Sequence, residues 1–491
     1  MADSTSPSIA PTSGLKWVKR FSYGYDPQWS IEPEHSAIEL IARKTFPIPP
    51  DADLSVTFFK EGALNKLYKV NVGEASYIIR VALPFDPART MSEVTTMRLI
   101  RDKTSIPIPR VLSYDATSHN ELRLSWVSME IVPGRRLSEA WRKMPMVAKR
   151  AMTEQLAGYQ AQLLTLGLHA IGSVVPIKEA EDHHHTVLTC VILPFAFAYA
   201  VIAVLIHRII LLYTGFDYIT THNLGRPTTP LHLLGANAGL PLGPYLSTRD
   251  WLSHRLAVLQ ARTEQSLHFY RTAKLASGLS AKDLESLEDN SVLCEGDLGI
   301  ISLLIQHLPR VFPRHRSERT MLFHHNLSER NIMVDSDGVI MAVLDWEHVC
   351  AVPFWYCTQF PGVLMTMKQK LRPRRSEYGP AESFYLDDPE EHGDLDGVSL
   401  LYWESRERFE KTILRKVYMA EMDRLVPGWA AEYKRSKGQR EFEDCIAHLE
   451  WGGHYGLKGF EDWLEAYDPV TGEGSPEACE DRWPIFGEGL E

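Results

Sequence analysis

The amino-acid sequence predicts a mixed α+β chain with a strand-rich part near its start, and three observations carry that prediction. Tyr77-Ile78-Ile79-Arg80-Val81-Ala82-Leu83 alternates faces with a period of two, the pattern of a strand. Residues 91–101 read as a helix, with Glu93, Met97 and Ile100 along one stripe at i, i+4 and i+7. Residues 332–334 and 339–344 are β-prone runs joined through Asp335-Ser336-Asp337-Gly338, whose Asp-Gly pair is a strong hairpin signal.

Each element places particular side chains. On the first strand Arg80 shares a face with Ile78 and Ala82, and a charge among apolar neighbours needs a partner. Glu93 lies on the helix stripe that should face the sheet, so it is the expected partner; the alternative is a surface ion pair. In the hairpin, Asn331 stands seven positions before Gly338 and Asp345 seven after it, so the two strands should bring both oxygen-bearing side chains to one end. Mg²⁺ takes hard oxygen ligands and shares them with substrate phosphates, which suits an amide oxygen and a carboxylate so placed. An ordinary hairpin capped by polar residues would look the same. The upstream spacing of His324, Asn326 and Asn331, a His-x-Asn-x-x-x-x-Asn run, favours phosphoryl transfer.

With these residues in place the chain resembles the aminoglycoside phosphotransferase-like kinases, particularly their fungal branch, over about residues 50 to 365. The resemblance implies a protein kinase-like bilobal α+β fold: a small lobe with an antiparallel sheet and one helix, and a larger, mostly helical lobe. It makes His324 the structural histidine of the catalytic loop, Asn326 the occupant of the catalytic aspartate position, and Asn331 and Asp345 the metal-binding pair. Residues 60–70, containing Gly62 and Asn65, take the place of the phosphate-covering loop. Arg80 replaces the nucleotide-binding lysine and Glu93 is its helix partner; arginine keeps the charge but presents a wider, planar fork. Residues 128–134 correspond to the connector between lobes, where main-chain groups near Glu130 and Ile131 would meet an adenine. The implied cofactors are ATP, or another nucleoside triphosphate, and Mg²⁺.

The expected organisation is a tail at 1–20, a small lobe at 21–130, a helical lobe at 131–365 interrupted by an apolar insertion at 186–213, and an acidic loop with a helical extension at 366–491. Residues 186–206 contain twenty-one residues without a charge, long enough to span a bilayer. A single crossing would put Gly62, Arg80 and Glu93 on one side and Asn331 and Asp345 on the other, so a spanning helix and an assembled cleft exclude one another. A buried insertion, a membrane anchor in an inactive protein, and a translated retained intron remain as readings.

Composition is that of a globular chain: 491 residues, 44% hydrophobic and 23% charged. A net charge of −11 without a basic stripe gives no footprint for nucleic acid. Six cysteines without a close metal-type pair point to a reduced, cytoplasmic setting. His183-His184-His185 lack the i, i+4 spacing of paired metal ligands and read as a solvated loop. The acidic stretch at 387–396 reads the same way, although it could attract a cationic substrate. Residues 399–425 read as a helix ended by Pro427-Gly428.

Asn326 decides the function. An aspartate there would accept or orient the proton of an acceptor hydroxyl, and such base catalysis contributes about 10²–10⁴ in rate. An amide hydrogen-bonds a hydroxyl but does not take its proton. Two functions therefore stand as expectations: a slowed ATP-dependent kinase of a small hydroxylated molecule, and a catalytically inactive nucleotide-binding pseudokinase or scaffold protein, membrane-associated only if 186–206 is an anchor. The short distance from Asp345 to Pro361-Gly362 leaves no long activation segment, which favours a small-molecule kinase over a protein kinase.

Overall fold

A computed structural model of the chain describes residues 14–19, 25–46, 48, 53–84, 86–176, 217–218, 223–225, 227, 243–275, 279–313, 318–380 and 397–450. The apolar insertion at 186–213, His183-His184-His185, the acidic stretch at 387–396, most of the tail and the last part of the extension lie outside the described residues.

The small lobe is a five-stranded antiparallel sheet. A ribbon of β1 (Leu15–Lys19) and β2 (Tyr25–Trp29) and helix α1 (His35–Thr45) precede β3 (Leu54–Glu61), β4 (Asn65–Val72) and β5 (Ala75–Ala82). Helix α2 (Pro87–Lys103) leads to β6 (Val111–Asp115) and β7 (Trp126–Glu130), and the order in the sheet is β3-β4-β5-β7-β6. Alternation sorts the two faces. Tyr68, Val70, Ile79 and Val81 pack with Ile38 and Ile41 of α1, while Arg80 points the other way, toward Glu93 of α2. Helix α1 is a second small-lobe helix beyond the one expected, and its apolar spacing, Ala37, Ile38, Ile41 and Ala42, is that of one buried face.

Helix α2 starts where the chain chemistry says it should. Asp86 caps it by accepting from the Ala88 amide at 3.0 Å, and Pro87 occupies the first helical turn without a lost donor. Its other end is not the small lobe's own: Met97, Leu99 and Ile100 belong to the core of the large lobe.

The large lobe begins at β8 (Arg135–Arg136), with α3 (Leu137–Ala140) and α4 (Met146–Thr165). Strands β9 (Leu166–Leu168), β10 (Ser173–Val175), β11 (Asp217–Tyr218) and β12 (Asn223–Gly225) are short. The paired helices α5 (Thr248–Ala273) and α6 (Ala281–Val311) follow, each capped by a serine, Ser247 and Ser280. By length and composition α6 is apolar enough to cross a membrane, yet Cys294, Ile300, Ile301, Leu304 and Leu308 on it are buried within the protein.

Next come β13 (Thr320–Phe323), the hairpin β14 (Ile332–Val334) and β15 (Ile340–Val343), β16 (Cys350–Pro353) and the single turn α7 (Phe354–Cys357). Strand β8 adds to the hairpin in the order β15-β14-β8, and β13 sits between β9 and β16. Finally α8 (Leu400–Leu425), α9 (Trp429–Arg435) and α10 (Lys437–Glu450) close the lobe, with Leu414, Tyr418, Met422, Trp429, Phe442 and Ile446 in its core.

Candidate active site

The hairpin is built by its turn. Asp335 Oδ1 accepts from the Asp337 and Val339 amides, both at 2.9 Å, and Gly338 adopts φ +84°, where a side chain is strained. Beyond the last ladder pair, Ile332 with Val343, the Leu344 amide donates to the Asn331 carbonyl at 2.8 Å. The two functional side chains thereby meet: Asn331 Nδ2 donates to Asp345 Oδ2 at 3.3 Å.

Asn326 joins them. Its Nδ2 donates to the same Asp345 Oδ2 at 3.2 Å, and its carbonyl accepts from Asn331 Nδ2 at 2.9 Å. His324 is buried behind this group, donating Nε2–H to the Leu344 carbonyl at 3.0 Å with its ring edge-on to Trp346. Burial pushes its imidazole down to about 4, so it is a neutral strut. The neighbouring His325 lies 3.2 Å from Cys350 Sγ, but burial pushes that thiol up to about 12, which removes it as a nucleophile.

After Val343 the strand ends. Asp345 and His348 both have φ +65°, so strand alternation does not continue to Glu347. Glu347 instead crosses to the small lobe, where Asn65 Nδ2 lies 3.1 Å from each carboxylate oxygen and Arg89 Nε lies 3.5 Å away. The two carboxylates titrate apart. Burial, then the charge of Glu347, raises Asp345 to about 7. Burial also pushes Glu347 upward, but Arg89, His348, Arg80 and the Asn65 amide together bring it down to about 2.

On the small-lobe wall Arg80 and Glu93 form a hydrogen-bonded, buried ion pair. Burial, with the charge of Glu347, raises the Glu93 carboxyl, and Arg80 opposes that rise. The Gly62 amide donates to the Asn65 carbonyl at 2.9 Å, closing the turn between β3 and β4. A Cβ on Gly62 would meet nothing nearer than 3.9 Å, so protein packing does not require glycine there. Glu130 and Ile131 are exposed at the connector, and the Glu130 amide is engaged by the Arg110 carbonyl at 3.1 Å. Just beyond, Gly134 has φ +107° and passes so close to β14 that a Cβ would stand 2.5 Å from the Val334 carbonyl.

These residues fit a nucleotide and its metal. Arg80 Nε is buried with no hydrogen-bond partner in the protein, a donor suited to an anionic oxygen. Asp345 supplies a carboxylate at a point that the Asn331 side-chain amide reaches at 3.3 Å, and no group of three or more His, Cys, Asp or Glu forms a closed metal cage among the described residues. Mg²⁺ commonly binds through one or two carboxylates plus phosphates.

The model of the phosphotransferase enzyme family matches residues 55–356, a span that contains every side chain of this site. The chain belongs to the phosphotransferase enzyme family. Over 128 residues this phosphotransferase is 29% identical to a subtelomeric hrmA-associated cluster protein of Aspergillus fumigatus, covering 25% of each chain. It is 26% identical over 152 residues to altered inheritance of mitochondria protein 9 of Saccharomyces cerevisiae, covering 28% of this chain and 24% of that protein. The matches thus span about a quarter of the length of these curated relatives. Among solved structures it is similar to an aminoglycoside phosphotransferase APH(4)-Ia variant in complex with ADP and hygromycin B, at 14% identity and TM-score 0.34, covering 84% of this chain and 98% of that one. It is also similar to the GDP complex of aminoglycoside 2'-phosphotransferase-IIIa, at 13% identity and TM-score 0.33, covering 84% and 99%.

Two features of the phosphotransferase site were missed in the sequence. Arg89 stands four residues before Glu93, on the same helix stripe, a signal that was there to find. Glu329, between Asn326 and Asn331, pairs with Lys411 of α8, which also reaches Glu407 at 2.6 Å and lies over the Trp141 ring. Lys149 of α4, paired with Glu410, shares that ring. The separation in sequence hides this network.

Proposed function

We propose that this phosphotransferase binds ATP, or another nucleoside triphosphate, with Mg²⁺ in the cleft between residues 50–130 and 320–350, and phosphorylates a small hydroxylated molecule at a rate limited by Asn326. The observation that supports this reading is the meeting of Asn326, Asn331 and Asp345 within hydrogen-bond distance, opposite the buried Arg80–Glu93 pair. Asp345 and Asn331 would hold the metal, Arg80 the phosphates, the Gly62–Asn65 turn would cover them, and the main chain near Glu130 and Ile131 would receive the base. When bound, the nucleotide supplies the phosphoryl group and Mg²⁺ neutralises its charge.

The chain's own residues then do three things. Arg80, held in place by Glu93, presents positive charge without needing to reorganise. Asn326 hydrogen-bonds an acceptor hydroxyl and orients it, but leaves its proton for solvent to remove. The direct run from Asp345 into β16 leaves the cleft mouth without a long peptide-binding segment, in keeping with a small acceptor. The setting is proposed to be cytoplasmic, with a membrane involved only through residues 186–206.

A second reading is favoured by one contact. The Asn326 amide already donates to Asp345, so the residue at the base position is turned to the metal-binding carboxylate, as suits an inactive nucleotide-binding protein. Mg²⁺-dependent ATP binding and phosphate transfer, measured on the wild type and Asn326→Asp, separate the two. Slow transfer that accelerates in the aspartate form supports the kinase; activity in the aspartate form alone supports the inactive protein. Equal activity in both overturns the role given to Asn326.

A further inference from the structure

Glu347, Asn65 and Arg89 close a ring of side chains across the two lobes. Asn65 donates to both oxygens of Glu347, its own Oδ1 accepts from Arg89 Nη2 at 3.1 Å, and Arg89 Nε faces Glu347 Oε2 at 3.5 Å. Arg89 Nη2 also donates to the Leu64 carbonyl at 3.1 Å, so the arginine holds the backbone of the turn as well. The Arg89 side chain is 2% exposed and that of Glu347 8%, which places these two away from bulk water, with Asn65 half-buried beside them.

The three residues come from three elements that must be arranged together. Asn65 opens β4 at the phosphate-covering turn, Arg89 lies in the first turn of α2, and Glu347 follows the hairpin that carries Asn331 and Asp345. One helical turn beyond Arg89 stands Glu93, the partner of Arg80. The far end of α2 is fixed by Met97, Leu99 and Ile100 in the large-lobe core. Fixing Arg89 therefore fixes the beginning of the helix, and with it the orientation of Glu93.

We propose that Glu347, Asn65 and Arg89 form an interlobe latch, in which Glu347 and Arg89 are positioning residues that hold the phosphate-covering turn and the start of α2 against the metal-binding hairpin. Glu347 acts through the small lobe: both its oxygens are engaged by Asn65. Its effect on nucleotide binding rests on the cleft being a nucleotide site, whereas its effect on the turn does not.

The test uses the full chain with Glu347→Gln, Arg89→Met, Arg89→Lys and the double variant Glu347→Gln/Arg89→Met. ADP affinity is measured by calorimetry in EDTA and again with Mg²⁺, and amide hydrogen exchange of residues 61–66 is measured without nucleotide. Coupling between buried, hydrogen-bonded partners predicts about tenfold weaker ADP binding in EDTA for Glu347→Gln and for Arg89→Met, with the double variant no weaker than the worse single one. Arg89→Lys should recover part of the loss. Exchange at 61–66 should quicken in both single variants.

Additive losses overturn the latch. So does a loss confined to the Mg²⁺-dependent part of binding in Glu347→Gln with Arg89→Met silent, which would make Glu347 a metal ligand. If the wild type binds no ADP, the nucleotide reading fails, and unchanged exchange at 61–66 separately overturns the latch while faster exchange upholds its structural half.

Discussion

Asn326 and Asp345 share a hydrogen bond, Nδ2 to Oδ2 at 3.2 Å. An aspartate at position 326 would place a second carboxylate against the first, and like charges at that separation repel unless a proton or a cation intervenes. Asn326→Asp is therefore expected to lower the melting temperature in EDTA and to regain much of it when Mg²⁺ is added. Thermal melting with and without the metal checks this; an aspartate variant as stable as the wild type in EDTA would show that position 326 does not set the charge balance of the site.

The acid limb of stability carries the signature of His324. Its folded value of about 4 lies below the usual 6.5, so the folded protein binds fewer protons than the unfolded chain between those values, and stability is lost as pH falls through that window. Asp345 acts oppositely, because its folded value of about 7 makes it hold a proton that the unfolded chain releases, and stability falls as pH rises from about 4 to 7. His324→Leu removes the first contribution. The cost of this substitution, from urea unfolding, should be smaller at pH 5 than at pH 7 by about 2 kcal/mol. An identical cost at both pH values would contradict a buried neutral imidazole.

Arg80→Met strands Glu93 inside the protein. Removing one partner of a buried pair is expected to destabilise by about 3–5 kcal/mol, whereas Arg80→Met/Glu93→Leu should recover most of that loss because no charge is left buried. Denaturant unfolding of the three proteins is the measurement, and a double variant as unstable as the single one would argue that packing, not charge, dominates at this position.

At the crossing of β8 and β14 there is no room for a methyl group. Gly134→Ala combines a φ of +107°, a strain of about 1–3 kcal/mol for a non-glycine residue, with a Cβ 2.5 Å from the Val334 carbonyl, a backbone atom that cannot swing aside. The variant should melt well below the wild type, and Gly62→Ala should not, since its added carbon meets nothing closer than ordinary van der Waals contact.

The meeting of Asn331 and Asp345 was legible in the sequence because a local device builds it: an Asp-Gly turn with equal arms on each side returns the two to one place. Arg80 and Glu93 were legible for a related reason, since strand and helix periodicity assign each a face. Glu347 lies four residues past the end of β15, in a segment where Asp345 and His348 take left-handed backbone, so strand periodicity does not reach it. Arg89 shares the stripe of Glu93, yet its partners lie in other elements, and periodicity says nothing about partners. The Lys411–Glu329 and Lys149–Glu410 pairs join residues 82 and 261 positions apart, beyond any local signal.

Separation in the chain also governs the order of assembly. Asn65 and Glu347 are 282 residues apart, and closing so long a loop carries an entropic cost that only contacts made on arrival can offset. Contacts of such range form slowly compared with helices and hairpins. The hairpin of Asn331 and Asp345 is closed by a local turn, while the ring that joins it to the turn between β3 and β4 waits for both lobes. Nucleotide binding should consequently be among the last properties recovered on refolding, after the helical signal has returned.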